Sequence, residues 1–265
     1  MAMAGTDDGP DVLRVELTEG YAVVTLDRPA ARNALNGALR TALHDTMQAL
    51  DGDDDVAAVV LTGADPAFCA GLDLKELVDD PTALTGGFGD ASEFRRPFPD
   101  MTKPVIGAVN GVAITGGFEL ALACDFLVAS EHARFADTHA RIGIMPGWGL
   151  TVLLPQAVGL RRARELSTTG NFLDAATAYD WGLVNHVVPH AELVPTARAL
   201  AADIAGNDRG GVRQILATYR AGALVSGAEA YGIEQRDSRA WLAGRSAADF
   251  DARRRAVTER GRTQL

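Results

Sequence analysis

Three short apolar runs, the first two each followed by a turn and a helical pattern, constrain this chain most. VAAVVLTG (56–63), VIGAVNG (105–111) and DFLVAS (125–130) are rich in apolar and β-branched residues. Such runs suit strands covered on both faces, as in a parallel sheet. Strands alternating with helices, followed by a helical tail, predict an α/β core with an α-helical appendage. A chain of 265 residues is long enough to bury a large core without a disulfide or metal staple.

The rest of the chain fits that frame. Residues 12–18 and 21–26, separated by Glu19-Gly20, read as a hairpin that ends at Arg28-Pro29. Leu39, Leu43, Met47 and Leu50 recur at helical spacing, with Asn36 as the expected N-cap. Asp73 to Glu76 carries a capping-box-like pattern that opens a short helix. Residues 80–100, rich in Gly, Pro and Asp, read as a loop. Helical patterns cover 148–157, 160–168 and 174–181, a strand is expected over 184–188, and the chain from His190 onward reads as helical. The expected organisation is a loose tail over 1–11, an α/β core over 12–190 and a helical region over 191–265.

Composition removes several function classes. Apolar residues make up 47 % and charged residues 23 %, which is ordinary for a globular protein. No apolar run approaches the ~18 residues of a membrane span. The first residues lack the cationic and apolar regions of a signal peptide. The net charge of −10 argues against a nucleic-acid or anionic-membrane partner. Cys69 and Cys124 are far apart and form no CxxC, so they read as reduced thiols of a cytoplasmic protein, with a structural disulfide as the alternative. His186 and His190 have metal-like spacing, but Pro189 intervenes, and no metal is expected. Neither a GxSxG elbow nor a phosphate-binding P-loop occurs.

The chemistry concentrates in two turns, AFCAGLDLKEL (67–77) and GVAITGGFELALACD (111–125). Each follows a strand and opens a helix, where backbone N–H groups lack partners. Two such turns converging on one point would form an oxyanion hole for a carbonyl oxygen that gains charge. Gly116 and Gly117 would let backbone approach a ligand closely, or would simply permit tight turns. Glu119 lies among Phe118, Leu120, Ala121 and Leu122. In that setting it is a candidate general base; the alternative is a solvent-facing Glu on an amphipathic helix.

These residues, together with RPAARNALN (28–36), TKPVIGAVNG (102–111), RIGIMPGWG (141–149) and GLVNHVVP (182–189), resemble the enoyl-CoA hydratase/isomerase (crotonase) superfamily. The matches run in family order to about residue 190. The resemblance implies a crotonase-like (ClpP/crotonase) α/β spiral of ββα repeats with a C-terminal α-helical trimerisation region. It implies a homotrimer, or a hexamer made of two trimers. It also implies an acyl-CoA thioester substrate and an enolate-like intermediate, with coenzyme A entering as part of the substrate and no separate cofactor.

The resemblance maps the oxyanion-hole N–H groups onto Leu72 and Gly116, and the first catalytic carboxylate onto Glu119. The second carboxylate maps onto His139, in FADTHARIG, which is the largest departure from the hydratase pattern. A histidine can still give or take a proton near neutrality, since its unperturbed pKa is about 6.5. It could instead be a packed histidine, a binding residue, or the mark of a member that has lost hydration. Asp137, two residues away, could face the site instead, though nothing in the family supports that directly. Arg28, Ala31 and Arg32 are implied to border the CoA groove, and Ala70, Gly71 and Leu72 to meet its adenine and pantetheine side. Asp73 belongs to the same motif, Lys75 is a further cation there, and Trp148 is a candidate for the acyl pocket or for the core. The reading is a hydratase acting on a trans-2-enoyl-CoA. Its alternatives are an isomerase or other enolate chemistry using Glu119 alone, and a non-catalytic acyl-CoA-binding protein.

Overall fold

The computed structural model describes residues 12–73, 76, 96–223 and, beyond these, 225, 229, 232, 233, 235–237 and 240. The tail expected over 1–11, Lys75 and residues 80–95 of the expected loop lie outside the described residues. Strands β1 (Leu13–Thr18), β2 (Tyr21–Leu26), β3 (Ala58–Gly63), β4 (Ala67–Cys69) and β5 (Val105–Val109) come first. They are followed by β6 (Val112–Ile114), β7 (Phe126–Ser130), β8 (Arg134–Ala136), β9 (Leu173–Asp174) and β10 (His186–Val188). The helices are α1 (Gly37–Gly52), α2 (Gly116–Leu122), α3 (His139–Ile142), α4 (Leu150–Val158), α5 (Leu160–Thr169), α6 (Ala175–Asp180), α7 (Leu193–Ala205) and α8 (Arg209–Ala223).

The large sheet runs β1-β2-β3-β5-β7-β10. Only its first pair, the expected hairpin, is antiparallel; the rest is parallel. The apolar runs therefore form its interior strands, covered on both faces. Val59, Leu61, Val105 and Val109 face a core shared with Leu39, Leu43 and Met47 of α1 and with Phe68, Phe118 and Phe135. Ala58, Val60, Ile106 and Val128 face the other way, onto Leu193, Ala197 and Ala201 of α7. At the start of α1, Asn36 accepts a hydrogen bond from the Leu39 N–H at 3.0 Å, which satisfies one of the free N–H groups there.

A second sheet, β4-β6-β8-β9, was not expected from the sequence. The segments 67–69 and 112–114 read as parts of turns, yet they are strands. Each has three residues, too few to show an alternating pattern. β4, β6 and β8 are mutually parallel, so their carboxyl ends lie side by side. Gly117 makes their packing possible: a Cβ there would lie 2.1 Å from the Cys69 carbonyl oxygen.

The chain divides into two compact units after Arg209. The first therefore includes α7, although residues from 191 read as the helical region. The second begins along α8, where the Thr218 hydroxyl donates to Asp237 Oδ2 at 2.7 Å. Among the described residues, no helix is long and apolar enough to cross a membrane. Cys69 and Cys124 are buried and unpaired, and burial pushes the Cys69 thiol up to about 12.

Candidate active site

The three parallel strands of the small sheet end in the residues singled out above. β4 runs into Ala70, Gly71 and Leu72; β6 into Thr115, Gly116 and α2; β8 into Asp137, Thr138 and His139. Ligands of open α/β sheets are commonly bound at such carboxyl ends.

The first two turns touch. Gly71, at φ +91°, is so close to the second that an added Cβ would lie 2.7 Å from the Ile114 carbonyl oxygen and 3.3 Å from the Gly116 nitrogen. A Cβ on Gly116 would in turn lie 3.5 Å from the Leu72 nitrogen. The bridge between residues 35 and 72 uses the N–H groups of Leu35 and Asp73, leaving that of Leu72 outside the ladder. The Gly116 N–H belongs to the first turn of α2, which has no intrahelical acceptor for it. Two backbone donors thus lie close together, the arrangement that stabilises a developing oxyanion.

Glu119 is buried one turn into α2. Its Oε1 accepts the Trp148 N–H at 2.8 Å and the Gly147 N–H at 3.2 Å. Its Oε2 lies 3.5 Å from Nε2 of His139, which is also buried. On the other side of the ring, Nδ1 meets Asp137 Oδ1 at 2.6 Å. The same Asp137 oxygen accepts the His139 backbone N–H at 3.2 Å. The imidazole is therefore held between two carboxylates. Burial works against its charge, but the hydrogen bonds and charges of Asp137 and Glu119 outweigh this and raise its pKa to about 9. Burial likewise opposes the Asp137 carboxylate, yet hydrogen bonds from His139 and Ser167 hold it below the usual carboxylate range.

Trp148 is buried in the main core, and its ring lies over the second turn. A Cβ on Gly116 would come 3.2 Å from that ring. The residue thus serves the site twice, by its backbone to Glu119 and by its ring beside Gly116.

The residues mapped to a CoA groove are also drawn together. The Ala70 N–H donates to the Arg32 carbonyl at 3.0 Å, and the Leu35 N–H to the Gly71 carbonyl at 2.8 Å. Ala31 lies in a short 3₁₀ turn just before Arg32, which is exposed. Arg28 is engaged: its guanidinium is 3.1 Å from Asp73 Oδ2 and also donates to the Ala34 carbonyl. Asn33, which sequence reasoning passed over, organises this corner. It is buried at φ +56°, donates to the Ala64 and Ala67 carbonyls at 2.8 and 2.7 Å, and accepts the Arg28 N–H at 2.9 Å. Asp137 had a signal of its own. An Asp that accepts the N–H two residues on is a recurrent local turn, and Asp137-Thr138-His139 has that spacing.

A family model described as enoyl-CoA hydratase/isomerase matches residues 16–246. The chain belongs to the enoyl-CoA hydratase/isomerase family. A probable peroxisomal enoyl-CoA hydratase of Arabidopsis thaliana is 39 % identical over 250 residues, covering 91 % of each chain. The crystal structure of an enoyl-CoA hydratase from Mycobacterium tuberculosis H37Rv is similar at TM-score 0.73 and 49 % identity, covering 86 % of this chain and 98 % of that one. One from Bacillus anthracis reaches TM-score 0.84 at 30 % identity, covering 93 % of this chain and 96 % of that one. The two packed sheets are thus those of the crotonase fold, and in this family member an imidazole faces Glu119.

Proposed function

We propose that this chain is an enoyl-CoA hydratase that adds water to a trans-2-enoyl-CoA. The observation that carries this reading is the buried pair of Glu119 and His139, 3.5 Å apart, beside the backbone donors of Leu72 and Gly116. The thioester oxygen sits between the N–H groups of Leu72 and Gly116. As water bonds to C3, the π electrons move onto that oxygen, and the two donors stabilise the enolate; one such donor contributes about 3 kcal/mol.

Glu119 Oε1 is anchored by the N–H groups of Gly147 and Trp148, which leaves Oε2 to take the proton from water. His139, held protonated at neutral pH, gives its Nε2 proton to C2 as the enolate collapses. The proton on Glu119 then crosses the 3.5 Å gap to Nε2 and restores both groups. Water has supplied one hydroxyl and, in effect, one hydrogen, and no cofactor is consumed. Asp137 keeps Nδ1 bonded, so that Nε2 is the proton donor.

The CoA moiety lies along the turn of Arg28 to Arg32 and the backbone of Ala70 to Asp73, with exposed Arg32 available to its phosphates. The family resemblance supports a homotrimer or hexamer, and a light-scattering mass near that of one chain would overturn it. The unpaired thiols support a reducing compartment such as the cytoplasm.

The test is turnover on trans-2-enoyl-CoA esters of increasing chain length, followed by loss of the conjugated thioester absorbance. Rapid loss that falls at least 100-fold in Glu119→Gln is expected, a size set by about two orders of magnitude for general base catalysis. Conversion of a 3-enoyl-CoA without hydration would replace this reading by isomerisation. Saturable binding without either reaction would leave an acyl-CoA-binding protein.

A further inference from the structure

Thr115 has the backbone of a glycine. It is a β-branched residue at φ 55° and ψ −113°, a region that L side chains rarely enter. Backbone strain of this kind persists only where the surroundings enforce it, and it concentrates at functional sites. Here the surroundings are specific. Thr115 is buried, and its hydroxyl lies 2.5 Å from the hydroxyl of Thr138, the residue before His139. Its N–H donates to the carbonyl of Ala136, the residue before Asp137, at 2.9 Å. Its carbonyl accepts the N–H of Glu119 at 2.9 Å. Its Cβ lies where a side chain on Gly71 would meet it, at 3.4 Å.

One residue therefore joins three parts of the site, the Gly116 donor that follows it directly, Glu119 and the Asp137–His139 segment, and lies beside the Gly71-Leu72 turn. Only one of these links needs a side chain, the hydroxyl pair. Neither Thr115 nor Thr138 uses its hydroxyl to cap the helix that follows it. Glycine would adopt this backbone without strain but would lose the hydroxyl link.

We propose that Thr115 is a positioning residue whose hydroxyl bond to Thr138 holds the Gly116 donor in register with His139. The inference rests on the hydratase reading and adds to it the device that aligns the oxyanion donor with the proton donor. Misalignment of reacting groups by about 1 Å costs up to about 100-fold in rate, so loss of the link should cost about tenfold in kcat.

Two readouts test this on the full chain: hydration of a trans-2-enoyl-CoA, and the ultraviolet enolate band of bound acetoacetyl-CoA, which needs the oxyanion donors but no hydration. Thr115→Val and Thr138→Val should each lower kcat about tenfold at near-constant KM and weaken the enolate band. The double variant should be no worse than either, because one link is lost in all three. Thr115→Ser should stay within about twofold of wild type. Thr115→Gly should melt no lower than wild type and still lose about tenfold in kcat, which a merely structural role would not produce.

Wild-type kcat in Thr115→Gly, independent and additive effects of the two valines, or kcat that simply follows melting temperature would each overturn the proposal. If the wild type forms the enolate band but hydrates nothing, the hydratase reading fails, and the band across the variants still decides the role of Thr115. A wild type that shows no band overturns both, since no oxyanion site would then exist to be aligned.

Discussion

Glu119 Oε2 and His139 Nε2 face each other at 3.5 Å with both side chains buried. Where the resemblance maps a second carboxylate, this chain has an imidazole whose pKa the hydrogen bonds and charges of Asp137 and Glu119 raise to about 9. In the proposed mechanism the pair works as an acid beside a base, rather than as two like charges competing for one proton.

A pH dependence follows. The folded-state pKa of His139 is raised from 6.5 to about 9, so the folded chain binds this proton more tightly than the unfolded chain. Its contribution to stability is fully present below about pH 6.5, declines as pH rises, and is gone above about pH 9. Asp137 has the opposite sign: its folded pKa is lowered, so its contribution is lost as pH falls through the carboxylate range. NMR titration of the His139 ring should give a midpoint near 9, moving toward 6.5 in Asp137→Asn. Asp137→Asn should also cost kcat about tenfold or more, because the proton donor is weakened in population and orientation. A wild-type midpoint near 6.5 would sink the charged-pair account.

Gly116 and Gly117 are neighbours with different duties. A methyl on Gly117 would sit 2.1 Å from the Cys69 carbonyl oxygen, which is backbone and cannot yield cheaply. Gly117→Ala should destabilise the fold by about 3 kcal/mol or more, or prevent soluble expression. A methyl on Gly116 would meet the Trp148 ring at 3.2 Å, the Leu72 nitrogen at 3.5 Å and the Gly71 Cα at 3.6 Å, with no backbone atom closer than ordinary contact. Gly116→Ala should fold, with kcat lowered about 100-fold by crowding of the oxyanion donors. Thermal melting beside steady-state kinetics separates the two. Equal loss of stability in both variants would contradict the assignment.

Arg28 and Asp73 bind each other at 3.1 Å while both are largely shielded from solvent. This engagement makes Arg28 a clamp on the 70–73 turn before it is a ligand for phosphate. Arg28→Ala and Asp73→Ala should each raise KM for the CoA ester severalfold with little change in kcat. The double variant should resemble either single one, with a coupling of about 1 kcal/mol in urea unfolding. If Arg28→Ala alone weakened binding and Asp73→Ala strengthened it, the arginine would instead be acting as a free cation on CoA.

Much of this was legible in the chain itself. The hairpin, α1 with its Asn36 cap, and the interior strands of the large sheet follow from composition and periodicity, because each is long enough to show its pattern. The motifs around Gly71, Gly116 and Glu119 pointed to a single site. The small sheet was hidden, because strands of two or three residues carry no periodic signal. The role of Asp137, open in the sequence as an alternative to His139, was undecided for another reason. It depends on a side chain folding back onto its own chain two residues on, and that segment read as extended.

The sequence by itself determined the class of fold, the family and the chemical groups at hand: two glycine turns, one carboxylate in an apolar helix, and a histidine where a second carboxylate was expected. Only the tertiary structure decided how those groups meet. Pairing of β4, β6 and β8 brings together residues that are distant along the chain. Their mutual burial then sets what each can do, because the charge on an imidazole depends on which carboxylates share its dry surroundings.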